Sequence, residues 1–151
     1  MAPVDAEGNR KPPSQPRPGL DKALVPGRPA GGRACRYYGL NDKNPLHLAT
    51  SALLTPAQAA TLAEGINVGS IAPGKEGTCP ADEGSVDTLT FVYHTGPGVG
   101  ITIRLTGCQF VSNGIVSSEY PSAEVTGQLS KLLVLQSWLL WSFRRVFAGK
   151  C

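Results

Sequence analysis

A chain of 151 residues with 14 Lys or Arg, 11 Asp or Glu and two histidines carries a formal charge of +3. The charge sits at basic ends that would suit an anionic surface, but neither end has the dense Lys/Arg cluster interleaved with aromatics of a nucleic-acid-binding face, and the chain is long enough for one modest core. No run approaches the roughly 20 apolar residues that a membrane-spanning helix needs.

Residues 1–33 hold seven of the 13 prolines, no aromatic residue and few large aliphatic ones. Such a segment buries too little apolar surface to offset its conformational entropy, so a disordered, polyproline-like arm is expected there. It is basic: Arg10, Lys11, Arg17, Lys22, Arg28, Arg33 and Arg36 outnumber Asp5, Glu7 and Asp21 over the first 36 residues. The start, Met1-Ala2-Pro3-Val4-Asp5, lacks the basic residues and apolar run of a signal peptide. A single domain is expected over residues 34–147.

Within it, Ala34 to Tyr38 reads as a strand ended by the turn-rich Gly39-Leu40-Asn41-Asp42, and residues 43–54 fit neither period. Thr55-Pro56-Ala57-Gln58 is a helix start with a cap, a proline at the first position and a capping box. That helix is expected to stop near Glu64 at Gly65, followed by a Gly-punctuated loop to Pro80. Thr88–Tyr93 and Gly100–Thr106 then alternate polar and apolar residues around Gly96-Pro97-Gly98, which predicts a hairpin over 86–106. Asn113-Gly114 marks a second hairpin turn between Gln109–Val111 and Ile115–Val116.

The chain closes on a helical pattern. Val125, Leu129, Leu132, Leu133, Leu139, Leu140, Phe143 and Phe147 recur at three- and four-residue steps, a stripe suited to covering a sheet. Leu135, Trp138 and Trp141 lie on other faces, so residues 136–151 also read as a docking tail. Trp138, Trp141, Arg144 and Arg145 would then meet a protein or membrane surface. The fold class is therefore α+β: a small antiparallel sheet with a central β-hairpin, packed against one short and one longer C-terminal helix.

Cys35, Cys79, Cys108 and Cys151 are too far apart for the CxxC pairs of a zinc or redox motif. The hairpin brings Cys79 and Cys108 towards one end of the sheet, so that pair is expected as a disulfide. Cys35 and Cys151 remain as the second pair, with a free thiol at Cys151 as the alternative. Disulfides imply an oxidising, extracytoplasmic setting.

Five runs in this sequence carry a resemblance: Leu24-Val25-Pro26-Gly27-Arg28-Pro29, Cys35-Arg36-Tyr37, Tyr38-Gly39-Leu40-Asn41, Thr78-Cys79-Pro80-Ala81-Asp82-Glu83-Gly84, and Thr106-Gly107-Cys108-Gln109-Phe110-Val111-Ser112-Asn113-Gly114. As a set, over about residues 24–116, they resemble an uncharacterised small secreted or lipoprotein-type domain of actinobacteria. The resemblance implies a disulfide-bonded α+β domain outside the cytoplasm or in the cell envelope, and no activity. The Trp-rich tail and the missing leader or lipobox cysteine depart from it.

Reactive groups are sparse. His47 and His94 are the only histidines, and no Gly-x-Ser-x-Gly elbow or suitably placed Ser-x-x-Lys accompanies them. Asp82, Glu83 and Asp87 are acidic but lack the spacing of a calcium loop. The Gly96–Gly100 run joins strand to strand, so it cannot cradle a phosphate at a helix start. Consecutive strand residues face opposite ways, so Tyr37 and Tyr38 cannot both be core, and an outward tyrosine suits a glycan or protein partner. The expectation is a secreted or cell-envelope accessory or binding module without catalytic activity. It would need no cofactor, metal or nucleic acid, and its partner would be a protein or envelope component. The alternative is a membrane- or protein-docking role for the Trp-rich helix.

Overall fold

Short alternating runs separated by turns dominate this chain, and they assemble into a single antiparallel sheet. The computed structural model describes residues 16–41, 43, 47–73, 83–119, 121–139 and 151, with side chains followed through Val134 in the last helix. In chain order the elements are β1 (Gly31–Tyr37), β2 (Leu48–Leu54), α1 (Pro56–Asn67), β3 (Ile71–Pro73), β4 (Val86–Val92), β5 (Val99–Arg104), β6 (Phe110–Ser112), β7 (Val116–Glu119) and α2 (Ala123–Leu139). The sheet runs β2-β1-β4-β5-β6-β7-β3, and every described pairing is antiparallel. This is the α+β architecture expected, with the hairpin β4–β5 near its centre.

Register explains which face becomes core. Ala34 lies opposite Ala52 on one side and Leu89 on the other, Leu89 opposite Ile101, and Ile103 opposite Val111. All six are buried, so this period-2 set forms one apolar face. Ala59, Leu62, Ala63 and Ile66 of α1 cover it together with Val125, Leu129 and Leu133 of α2. Thr50 Oγ1 donates to the Leu133 carbonyl at 2.9 Å, which seats α2 beside the edge strand β2. The other face carries a row of Ser51, Cys35, Thr88, Thr102 and Ser112.

The helix start at Thr55 is as expected. Gln58 N donates to Thr55 Oγ1 at 3.3 Å, and Thr55 N donates to Gln58 Oε1 at 2.9 Å. Gly65 does not end this helix, which continues to Asn67. A Cβ at residue 65 would collide with Val125 Cγ2, so the glycine serves close approach of α1 and α2. The ambiguous stretch 43–54 supplies β2, and the expected loop before Pro80 contains β3.

The arm boundary at residue 33 is corrected more substantially. Gly31, Gly32 and Arg33 belong to β1, and Leu24 and Val25 are fully buried with Leu20 beside them. Two asparagines hold this segment. Asn67 receives Val25 N on its Oδ1 at 3.0 Å and donates from Nδ2 to Val25 O at 2.8 Å. Asn113 Nδ2 reaches the carbonyls of Leu20, Ala23 and Leu24 at 2.9–3.3 Å. Long-range side-chain bonds of this kind are invisible to local composition, which is why the proline count misplaced the boundary. The earlier part of the arm, residues 1–15, lies outside the described residues.

Cys35 and Cys151 are joined in a disulfide with Cα atoms 6.3 Å apart. Cys35 belongs to the sheet face opposite the one that α2 covers.

Candidate functional site

Where β1 leaves the sheet and the chain enters β4, a cleft of about 330 Å³ opens, lined by Arg36, Tyr37, Tyr38, Gly39, Asn41, Glu83, Ser85 and Leu105. Its two walls are tied together by backbone. Leu40 N donates to Glu83 O, Leu105 N to Ser85 O at 3.0 Å, and Tyr38 N to His47 O at 3.0 Å. Gly39 fits between them because it has no side chain. A Cβ there would come within 2.6 Å of both Glu83 O and Ser85 Oγ. The β1–β2 register also slips between Arg36 and Tyr37, a bulge of the kind that re-aims side chains at the mouth of a site.

Beneath the cleft lies a charge pair. Arg36 and Asp87 are directly opposite in register, and the guanidinium holds the carboxylate through Nε–Oδ1 at 2.7 Å and Nη2–Oδ2 at 2.8 Å. Asp87 is 1% exposed and the Arg36 side chain 29%, so the carboxylate is sealed while its partner reaches the cleft. Such two-point geometry fixes both side chains and cancels their charge locally. Above it, Glu83 Oε2 accepts from Asn41 Nδ2 at 3.1 Å, and Ser85 Oγ approaches Glu83 Oε1 at 3.4 Å. Tyr38 is 37% exposed and Tyr37 half-buried, so aromatic surface borders this polar group.

A second cluster lies at the opposite end of the sheet. The Arg17 guanidinium sits 3.5 Å from the centroid of the Tyr93 ring and donates to the carbonyls of Pro97 and Thr95. The Tyr93 hydroxyl is buried without a hydrogen-bond partner among the described residues. Burial raises its pKa, and the nearby Arg17 charge acts the other way. This contact staples the N-terminal segment over the β4–β5 turn.

The residues singled out from sequence scatter. Cys35 and Cys151 meet; Cys108 is disulfide-bonded, while Cys79, its expected partner, lies outside the described residues. The backbone of Trp138 belongs to α2, whereas Trp141, Arg144 and Arg145 lie outside the described residues. His47, just before β2, and His94, just after β4, are exposed at opposite ends of the sheet, so they do not converge. Asp87 is committed to Arg36 and Glu83 to Asn41, and no metal-binding group of acids, histidines and cysteines occurs among the described residues. No described helix is long and apolar enough to cross a membrane. Sequence reasoning singled out Tyr37 and Tyr38 but missed Asn41, Ser85 and Leu105 as their neighbours. The signal was there only as turn residues on separate runs, Tyr38–Asn41 and the stretch around Glu83. Comparison with family models, curated proteins and solved structures yields no match.

Proposed function

We propose that this protein is a secreted or cell-envelope accessory or binding module without catalytic activity, and that it binds through the cleft between Tyr38 and Glu83. The observation that carries the setting is the Cys35–Cys151 bond, since structural disulfides persist in oxidising compartments. The binding reading draws on the cleft, a concave surface with aromatic edges and a few convergent polar groups. Divergent histidines favour binding over catalysis, because a base and a nucleophile must share hydrogen-bond reach. The resemblance to an actinobacterial envelope domain points the same way.

Two experiments test this. Labelling intact cells of the source organism with a membrane-impermeant maleimide after mild reduction should modify Cys151; exclusive labelling after lysis refutes the location. Purified oxidised protein should co-sediment with the isolated envelope fraction and lose that property in Tyr38→Ala.

A docking role for the C-terminal helix is the second reading. Val134 is 53% exposed one turn before Trp138, which is the observation that favours it. Replacing Trp138 and Trp141 by Gln should then abolish vesicle binding or self-association without unfolding the sheet.

A further inference from the structure

We infer that the cleft binds a neutral saccharide, one that offers an apolar ring face and adjacent hydroxyls; this rests on the binding-module reading above. The polar groups decide the ligand class. Arg36 is locked onto Asp87 through two bonds, so its charge is balanced and the floor does not recruit an anion. Among the described lining residues the remaining charge is the Glu83 carboxylate, already paired to the Asn41 amide at 3.1 Å. A carboxylate beside a carboxamide presents acceptors and donors side by side, the set that two neighbouring hydroxyls satisfy by donating to one and accepting from the other. An organic cation would need aromatic faces converging on one point. Tyr37 ends β1 and Tyr38 follows it; both border the cleft, and its described lining holds no further aromatic ring to complete a cage.

Aromatic surface completes the match. The C–H face of a pyranose is apolar, and an exposed tyrosine such as Tyr38 offers it a flat surface that loses little rotamer entropy on binding. The cleft volume of about 330 Å³ sits at the small end of ligand sites, appropriate to one or two sugar rings. The site is preformed, because Leu40, Ser85 and Leu105 cross-link its walls through backbone bonds and Gly39 permits their close approach. Little reorganisation cost therefore falls on binding.

Titrating the oxidised protein with cellobiose and N,N′-diacetylchitobiose, followed by amide NMR shifts, tests the assignment. Saturable shifts should centre on residues 37–41, 83–85 and 105. Tyr38→Ala and Glu83→Gln should each weaken binding about tenfold or more, while Tyr38→Phe keeps it, as expected for a contact worth over a kcal/mol. Unchanged melting temperatures exclude misfolding, and a variant that does unfold is replaced by Asn41→Ala. Absence of saturable shifts with both sugars, or shifts indifferent to Tyr38→Ala, overturns the proposal. Saturable binding of tetramethylammonium or inorganic phosphate at the cleft in place of the sugars does so too. Envelope co-sedimentation that persists without sugar binding refutes the saccharide alone, whereas loss of both refutes the binding-module reading as well.

Discussion

Arg36 and Asp87 show how a single cross-strand pair acquires asymmetric importance. Asp87 is almost wholly buried, while the Arg36 side chain keeps a route to water. Arg36→Ala therefore strands a buried carboxylate and should cost about 3 kcal/mol, whereas Asp87→Ala lets the guanidinium turn outward and should cost less. Urea denaturation of both variants measures the difference, and equal losses would contradict it. Tyr93 gives a pH-dependent counterpart. In the unfolded chain its phenol ionises near 10.0, and burial in the folded protein holds it neutral to higher pH against the pull of Arg17. The unfolded chain releases that proton first, so this contribution is complete below pH 10 and is lost as pH rises through the folded value. Tyr93→Phe should remove the alkaline loss. It should cost little at neutral pH, because the hydroxyl has no partner among the described residues and the ring under Arg17 is retained. Denaturation midpoints at neutral and alkaline pH compare the two proteins.

Contacts between elements rest on small residues and asparagines. Gly65 gives up helix propensity worth about 1 kcal/mol so that α1 and α2 can touch at Val125. Gly65→Ala should thus destabilise by about 1–3 kcal/mol, despite improving the helix, as an overpacked contact does. Combined with Val125→Ala it should cost less than the sum of the two singles, a coupling read by a double-mutant cycle. The segment before β1 follows the same logic. Deleting residues 1–15 leaves Leu20, Leu24 and Val25 in place, while deletion through Val25 empties their sites and leaves Asn67 and Asn113 without those carbonyls. The longer deletion should lower the melting temperature steeply or prevent folding, and the shorter should not.

For the whole molecule, the Cys35–Cys151 bond closes a loop of 116 residues from β1, the first strand, to Cys151. The chain-entropy model assigns such a loop about 5 kcal/mol of stabilisation through the unfolded state, large against the roughly 5–15 kcal/mol that holds a domain together. Cys151→Ser removes this bond alone and should lower the melting temperature by about 10 °C or more. A drop of under a few degrees would show that the unfolded chain is constrained by other means. The bond also closes residues 140–150 between α2 and β1, so any docking by that run occurs from a tether at both ends.

Short-range patterns in the chain account for the local devices. The Thr55 cap with Pro56 and Gln58, the β4–β5 hairpin around Gly96-Pro97-Gly98, the Asn113-Gly114 turn and the Val125–Leu129–Leu133 stripe all follow from short-range periodicity and turn chemistry. Tertiary structure decided what those pieces touch. The proline-rich run 16–30 carries few apolar residues, yet three of them fill the core because Asn67 and Asn113, 42 and about 90 residues away, satisfy its backbone. Gly65 reads as a stop until Val125 is set against it, and β2 has no clean alternation because it is an edge strand beside α2. The cleft follows the same rule: Tyr38 and Glu83 lie on separate turns, and only backbone bonds between those turns make them one surface. Periodicity reports the environment of a residue along its own element, whereas a site is assembled by contacts that span most of the chain.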